Sequence, residues 1–279
     1  VDSVIAQVTS AAESEVFAGG ISGDGRFIVF ESAGNLATEN PRNADGNREV
    51  FLFDYAQRRI FQITDTKSLL TDSTAAPSFD NIKVDIVNAR PVISNDGRWL
   101  AFGSNATCAF PGNPTANPPI PQIPATTNPG NFNPNTTAAS FPCNIPGANN
   151  TTINNLVNDG NTEMWLYQIP MVTPVNLSLG DEIPLTDLSA GTFIQVTNTI
   201  ASNPPLPGSA EQFPAIADDN HDVSVNDDAG YIAFASNRDL VPAVGNAFPA
   251  EDNDEIFVFV RAASTVTQVT KTPRGPISA

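Results

Sequence analysis

The chain repeats three short elements in the same order three times, and this repeat limits its fold more than any other feature. The first element is a turn followed by an apolar run: "DGRFIVFES" from Asp24, "DGRWLAFGS" from Asp96 and "DAGYIAFAS" from Asp228. The second follows an acidic loop: "DGNREVFLF" from Asp45, "DGNTEMWLY" from Asp159 and "EDNDEIFVF" from Glu251. The third is "IFQITDT", "FIQVTNT" or "VTQVTKT". Such ordered self-similarity predicts a repeat architecture.

Each repeat is predicted to be a four-stranded antiparallel sheet. The apolar runs are short, no window shows a helical period over three turns, and 24 Pro and 18 Gly favour strands and turns. A further strand precedes each Asp-Gly-type turn. The second and third strands should bury one aromatic residue each, which are Phe30, Phe102 and Phe234, then Phe51, Trp165 and Phe257. Sheets this small cannot bury both faces alone, so radial stacking into an all-β propeller is the predicted fold.

The repeat spacing divides the chain into blades. Three complete blades are predicted at 11–66, 88–199 and 208–272. Residues 1–10 should be the last strand of a preceding blade, and 273–279 the start of a following one. Because an exposed edge strand is a template for pairing, we expect both ends to be covered by more of the same polypeptide or by a partner.

The order of these motifs resembles the TolB-type, WD40-like β-propeller repeat of exported bacterial proteins. The third copy, "AGYIAFASNRDL" followed by "DNDEIFVFVRAASTVTQVT", is the most similar. The resemblance implies a periplasmic, secreted or cell-surface location. It also implies a non-catalytic module that binds or scaffolds other proteins, as a subunit or part of a larger assembly. The alternative is a lid or substrate-recognition domain of a hydrolase or lyase whose catalytic part is elsewhere.

A Pro/Asn-rich insertion interrupts the second blade at about 106–156. Phe102 and Glu163 are 61 positions apart, whereas the equivalent residues are 19 apart in the first blade and 21 in the third. The insertion is either a tolerated surface loop or a docking arm. Cys108 and Cys143 bracket it, and in an exported protein we expect them to form a disulfide worth roughly 3–4 kcal/mol. Two free thiols in a loop are the alternative.

The acidic loops carry oxygen-bearing side chains at alternate positions, as calcium loops do. The candidate ligands are Asn43, Asp45, Asn47 and Glu49 in the first copy, Asp159, Asn161 and Glu163 in the second, and Glu251, Asn253 and Glu255 in the third. Alternatively, the glutamate before each third strand is structural and accepts hydrogen bonds from the loop. The densest polar cluster, 218–222, is either a solvated loop or a cation-binding loop.

Charge and motif content narrow the function classes. With 13 Lys+Arg against 30 Asp+Glu, the net charge of −17 disfavours nucleic acid and anionic lipid surfaces as partners. A single histidine, His221, gives little support to zinc chemistry or a Ser-His-Asp triad. No apolar run reaches the length of a membrane span. The sequence therefore predicts no catalytic residues, no cofactor other than calcium, and other subunits or further blades as partners.

Overall fold

The chain is all-β in every part that the computed structural model describes. Those parts are residues 7–8, 15–38, 41–44, 46–66, 69–71, 83–85, 87–105, 161–170, 191–199, 218–246 and 253–273. Within these ranges the structure consists of strands, turns and irregular segments, with no helix. Consequently, no described helix has the length and hydrophobicity of a membrane span. The fold class predicted from the repeat is confirmed.

Twelve of the fourteen strands in the described residues form three four-stranded antiparallel sheets, which we call blades 1, 2 and 3. Blade 1 contains β1 (Val16–Ile21), β2 (Phe27–Ser32), β3 (Glu49–Asp54) and β4 (Arg59–Gln62). Blade 2 contains β7 (Asn88–Ile93), β8 (Trp99–Ser104), β9 (Glu163–Gln168) and β10 (Thr192–Gln195). Blade 3 contains β11 (Asn220–Val225), β12 (Tyr231–Ser236), β13 (Glu255–Val260) and β14 (Thr265–Gln268). The remaining strands, β5 (Leu69–Thr71) and β6 (Lys83–Asp85), pair with each other. In the chain they follow blade 1 and precede blade 2.

The turn before each second strand is built in the same way. Its aspartate accepts hydrogen bonds from a side chain two residues before it and from the backbone N–H two residues after it; the three are Asp24, Asp96 and Asp228. A left-handed residue follows, at φ 68° for Gly97 and 51° for Ala229. A Cβ at Gly97 would lie 2.9 Å from the Phe27 ring of blade 1, so this glycine also allows the two blades to approach.

The six aromatic residues predicted for the core occupy equivalent buried positions. Each is no more than 2% exposed, which confirms the prediction for Phe30, Phe51, Phe102, Trp165, Phe234 and Phe257. In blade 1 the paired rings stack at 5.5 Å, and in blade 3 they stack at 5.9 Å. One apolar cluster crosses from blade 2 to blade 3, where Met164 and Leu166 belong to the same core as Phe234 and Phe259. Stacking of neighbours therefore buries the face that a single blade leaves open.

The insertion lies outside the described residues, together with Cys108 and Cys143. The disulfide between them and the role of the insertion stay predictions. The first and last segments, 1–10 and 273–279, are described only at 7–8 and at 273. Val8 packs against the cluster of Phe30, Phe51 and Phe53 in blade 1.

Candidate functional site

Each blade buries one carboxylate at the start of its third strand. Glu49 and Glu163 are 0% exposed and Glu255 is 2% exposed. In blade 1 the Oε1 atom of Glu49 accepts hydrogen bonds from Asn47 Nδ2 at 2.8 Å and from both the N–H and Oγ1 of Thr66 at 2.6 Å. Its Oε2 atom accepts one from Thr64 Oγ1. The loop before the strand and the Thr-x-Thr segment after the fourth strand therefore converge on one carboxylate.

An asparagine from the next blade completes the network. Asn88, the first residue of β7, donates from Nδ2 to Glu49 Oε2 at 3.0 Å and to the Arg48 carbonyl oxygen at 3.1 Å. Its Oδ1 accepts from Ser104 Oγ at 2.6 Å, which fixes the orientation of the amide. The side chain thus ties blade 2 to the buried acid of blade 1.

The same tie joins blades 2 and 3. Glu163 accepts from Asn161, Thr197 and Thr199 of its own blade at 2.5 to 3.3 Å. Asn220, the first residue of β11, donates to Glu163 Oε2 at 3.2 Å and to the Thr162 carbonyl oxygen at 2.9 Å. Repetition at both described interfaces shows that this asparagine–glutamate pair is a regular feature of blade stacking. We call Asn88 and Asn220 the inter-blade asparagines.

Blade 3 has its carboxylate without such an asparagine. Glu255 accepts from Asn253 Nδ2 at 2.8 Å, from Thr270 Oγ1 at 2.5 Å, and from the N–H and Oγ1 of Thr272 at 2.6 Å. All of these donors belong to its own blade. Among the described residues, no amide from a further blade donates to Glu255, so its network is the half-complete copy of the other two.

The three buried glutamates differ in pKa. Desolvation raises the pKa of Glu49 and of Glu163 to about 7, although hydrogen bonds from threonine and asparagine oppose the shift. Desolvation also opposes ionisation of Glu255. Its hydrogen bonds from Thr270, Thr272 and Asn253 outweigh that effect, and the pKa falls to about 2. All three side chains are almost inaccessible to water, so the difference lies in the protein packed beyond them: a further blade lies against Glu49 and Glu163, and among the described residues none lies against Glu255.

These networks support the structural interpretation of the acidic loops. The carboxylates of Glu49 and Glu163 accept five hydrogen bonds each and that of Glu255 accepts four, and the amide nitrogens of Asn47, Asn161 and Asn253 point to them. Asp45, Asp159 and Glu251 lie outside the described residues. The Oδ1 atoms of Asn43, Asn47, Asn161 and Asn253 are buried without a hydrogen-bond partner. In the described part of the chain, no three His, Cys, Asp or Glu side chains are placed to hold a metal. Calcium binding stays a prediction.

We expect the melting temperature of the protein to be unchanged by a calcium chelator. The glutamates of the described loops already accept four or five hydrogen bonds each, so they have little capacity left to bind an ion. Differential scanning calorimetry with and without chelator, combined with elemental analysis, checks this. A melting temperature that falls on chelation and recovers with added calcium would assign the loops to metal binding instead, because a ligand of the folded state stabilises it.

The first strands of the three blades, β1, β7 and β11, lie side by side and carry a second candidate site. Each contains a β-bulge at the same point of its pairing with the second strand. The bulge residues Arg90 and Asp222 adopt left-handed conformations, with φ of 54° and 53°. The equivalent residue of β1 is Ala18, and a Cβ on the next residue, Gly19, would come within 1.9 Å of the Pro91 carbonyl oxygen. Bulges of this kind re-aim side chains and cost conformational energy in non-glycine residues.

The re-aimed side chains surround a cavity of about 230 Å³. Its charged and polar lining includes Glu31, Arg48, Arg90, Asp218, His221 and Asp222. Arg90 pairs with Asp218 at 3.0 Å and with Asp222 at 3.6 Å. His221 contacts Asp222 at 3.0 Å through Nδ1 and Asp254 at 3.5 Å through Nε2. The polar cluster at 218–222 thus divides: Asp219 and Asn220 are buried, and Asp218 and Asp222 face the cavity.

Glu31 links blade 1 to this cavity. Its carboxylate accepts a hydrogen bond from the Arg90 N–H and lies 3.2 Å from Arg48 Nη1. Burial raises the pKa of Glu31, while those contacts with Arg90 and Arg48 lower it. Sequence reasoning missed Glu31, Arg48 and Arg90, because Glu31 lies in β2, Arg48 immediately before β3 and Arg90 in β7, far apart in the sequence. The only local signal was a charged residue, Arg90 or Asp222, at the point of the second and third repeats where the first has Ala18.

Comparison with known proteins gives structural likenesses only. No family model matches the sequence, and no curated protein matches it significantly. A tricorn protease structure is similar at 12% identity and a TM-score of 0.40, over 95% of this chain and 19% of that one. A protein assigned as TolB from Agrobacterium tumefaciens is similar at 11% identity and 0.34, over 94% and 50%. TolB from Acinetobacter baumannii is similar at 12% identity and 0.27, over 96% and 45%.

The chain therefore spans half or less of each of these structures. At such low TM-scores the fold assignment depends on the chain's own sheets. These share strand order, bulge position, turn chemistry and a buried glutamate. By its repeat and by these three sheets, the chain is built of the four-stranded antiparallel blades of a β-propeller.

Proposed function

We propose that this chain is a non-catalytic, extracytoplasmic interaction module that binds a polypeptide partner on the surface formed by its first strands. The observation that carries the proposal is the pair of oppositely charged, left-handed bulge residues, Arg90 and Asp222, beside the 230 Å³ cavity. Both side chains are more than half exposed. An exposed ion pair contributes little to stability, so its own strength does not explain the conformational cost of two non-glycine residues with positive φ.

The charge of this surface favours a partner segment with basic side chains. Four carboxylates lie in or beside the cavity, those of Glu31, Asp218, Asp222 and Asp254, against the two guanidinium groups of Arg48 and Arg90. The surface is therefore negative by two charges with His221 neutral. Charge complementarity of this kind selects partners and speeds their association. The mixture of signs suits a polypeptide better than a polyanion such as nucleic acid.

We propose a non-catalytic role because the buried carboxylates of the three blades are engaged in structural hydrogen bonds. Glu49, Glu163 and Glu255 recur in every blade, and each accepts at least four hydrogen bonds from its own loop and neighbours. A general acid or base must instead reach the reacting atoms of a substrate. An extracytoplasmic location is proposed on the resemblance of the repeat motifs to exported bacterial proteins, and the disulfide expected between Cys108 and Cys143 would persist in such an oxidising compartment.

Exchanging the two bulge charges tests the proposal. In the double variant Arg90→Asp with Asp222→Arg, each side chain enters a backbone conformation that its counterpart already adopts, and their mutual ion pair can re-form with reversed polarity. We expect the variant to fold with an unchanged circular-dichroism spectrum and to lose, by at least tenfold, the capture of partners that the native chain retains from its source extract.

The matched control is Arg98→Asp, an exposed residue after the β7–β8 turn and outside the cavity lining. It changes charge away from the first-strand surface and should capture the same partners as the native chain. Equal capture by the native chain and the exchanged variant would overturn the proposed surface.

A further inference from the structure

The side of blade 3 that is equivalent to the covered sides of blades 1 and 2 is open. We call the side of a blade toward the next blade in the chain its trailing face. In blades 1 and 2 three large apolar residues of this face are at most 8% exposed; they are Phe27, Val50 and Ile63, then Trp99, Met164 and Val196. Their equivalents in blade 3, Tyr231, Ile256 and Val269, are 57%, 42% and 60% exposed. They are three of the seven exposed large apolar side chains in the described residues.

The residues of the three trailing faces are matched by their positions in the strand pairing and not by their exposure. Val50 pairs with Glu31, Met164 with Gly103, and Ile256 with Ala235, each one residue after the buried glutamate. Phe27, Trp99 and Tyr231 each begin the second strand of their blade. Ile63, Val196 and Val269 each follow the glutamine that ends the fourth strand. The open patch therefore has the same layout as the faces that carry blades 2 and 3.

The buried carboxylate at the edge of this open face, that of Glu255, can accept a further hydrogen bond from a neighbouring blade. Glu255 Oε2 accepts from Thr270 Oγ1, whereas Oε2 of Glu49 and of Glu163 accepts from the equivalent threonine and from an inter-blade asparagine. One acceptor position of Glu255 is thus left for a donor from outside blade 3. An apolar patch with an acceptor at its edge matches the surface that receives Asn88 or Asn220.

We propose that the trailing face of blade 3 binds another four-stranded blade whose first strand begins with an asparagine, and that this asparagine donates to Glu255. The occupant is defined by continuity with the two described interfaces. Its leading face must carry an apolar cluster, as blade 3 does with Phe234, Phe257 and Phe259. Its first strand must present an amide at the residue that pairs with the serine at the end of the second strand, as Asn88 and Asn220 do.

A second copy of this chain fits less well than such a blade. In blade 1 the residue that pairs with that serine is Val16, which has no amide to donate. Val8 also packs on the Phe30, Phe51 and Phe53 cluster of blade 1, against which an incoming trailing face would have to pack. Head-to-tail self-association therefore lacks the hydrogen bond and meets a partly covered surface. This inference does not depend on the proposed binding at the first strands.

A fusion of the full chain to an additional blade tests the inference. Residues 208–272 are appended after Ala279, so that a second copy of the Asn220 blade follows blade 3. The linker then has 7 residues from 273–279 and 12 from 208–219, which makes 19 between Thr272 and the new asparagine. The native spacings are similar, 21 residues between Thr66 and Asn88 and 20 between Thr199 and Asn220.

The readout is alkylation of Ile256→Cys in the original blade 3, followed by mass spectrometry of the peptide that carries it. We expect labelling at least tenfold slower in the fusion than in the unfused chain. The matched control fusion replaces the asparagine of the appended copy by alanine and should lose most of this protection. Equal protection with and without the asparagine would overturn its assigned role.

A second fusion guards against an appended copy that fails to fold. It appends residues 11–66, with the linker padded to the same length, either unchanged or with Val16→Asn. The inference predicts that the asparagine form protects the thiol introduced by Ile256→Cys more strongly than the valine form does. If neither the Asn220 blade nor the Val16→Asn blade slows labelling, the trailing face of blade 3 is not a blade-binding surface and the inference is wrong.

Discussion

Replacing Phe234 by alanine is expected to lower the free energy of unfolding by about 3–5 kcal/mol. The ring is 1% exposed, stacks on Phe257 at 5.9 Å and belongs to the core shared by blades 2 and 3. Truncation would remove apolar contacts on both sides of an inter-blade interface and leave a cavity that two sheets must collapse to fill. Urea denaturation followed by tryptophan fluorescence measures the loss, since Trp99 and Trp165 both lie in blade 2.

Tyr231→Ala is the matched control on the same strand. Its side chain is 57% exposed on the trailing face, so its removal should cost less than about 1 kcal/mol in this chain. If Phe234→Ala lowered the free energy of unfolding as little as Tyr231→Ala does, the Phe234 ring would not be buried in the core. That result would contradict the stacking of blades 2 and 3 described above.

The aromatic core was predictable from the sequence because it depends on short-range patterns. Phe30, Phe102 and Phe234 each lie six residues after a turn aspartate, and a strand alternates its side chains between two faces. A recurring position therefore identifies a recurring environment. The strand pair β5–β6 has no counterpart in the other repeats, within the described residues, so the repeat gave no reason to expect it.

The inter-blade asparagines were not predictable in the same way. Asn88 reaches Glu49 across 39 positions and Asn220 reaches Glu163 across 57, and both stand among many other asparagines. Nothing local distinguishes an amide that ties two blades from one in a loop. The glutamates were correctly singled out, but their partners are set by tertiary stacking. The contrast between Glu255 and the other two is likewise invisible in sequence, since all three share the same flanking donors.

The stability of the protein is expected to fall as pH rises from about 4.5 to about 7. Glu49 and Glu163 have folded-state pKa values of about 7 against an ordinary value of 4.5. Between these values the folded state binds more protons than the unfolded state, so the free energy of unfolding decreases with rising pH. A shift of this size corresponds to roughly 3 kcal/mol for each group. The raised pKa of Glu31 acts in the same direction.

The opposite shift of Glu255 supplies the control. Its folded-state pKa of about 2 gives stability that is present above the ordinary value and lost as pH falls toward about 2. Free energies of unfolding measured by urea denaturation across both windows separate the groups. Glu49→Gln and Glu163→Gln should each flatten the slope between about pH 4.5 and about pH 7. Glu255→Gln should leave that slope unchanged and should reduce only the fall in the free energy of unfolding at acidic pH. A native profile that is flat above the ordinary glutamate value would show that the two covered carboxylates stay ionised, so that their hydrogen bonds outweigh burial as they do at Glu255.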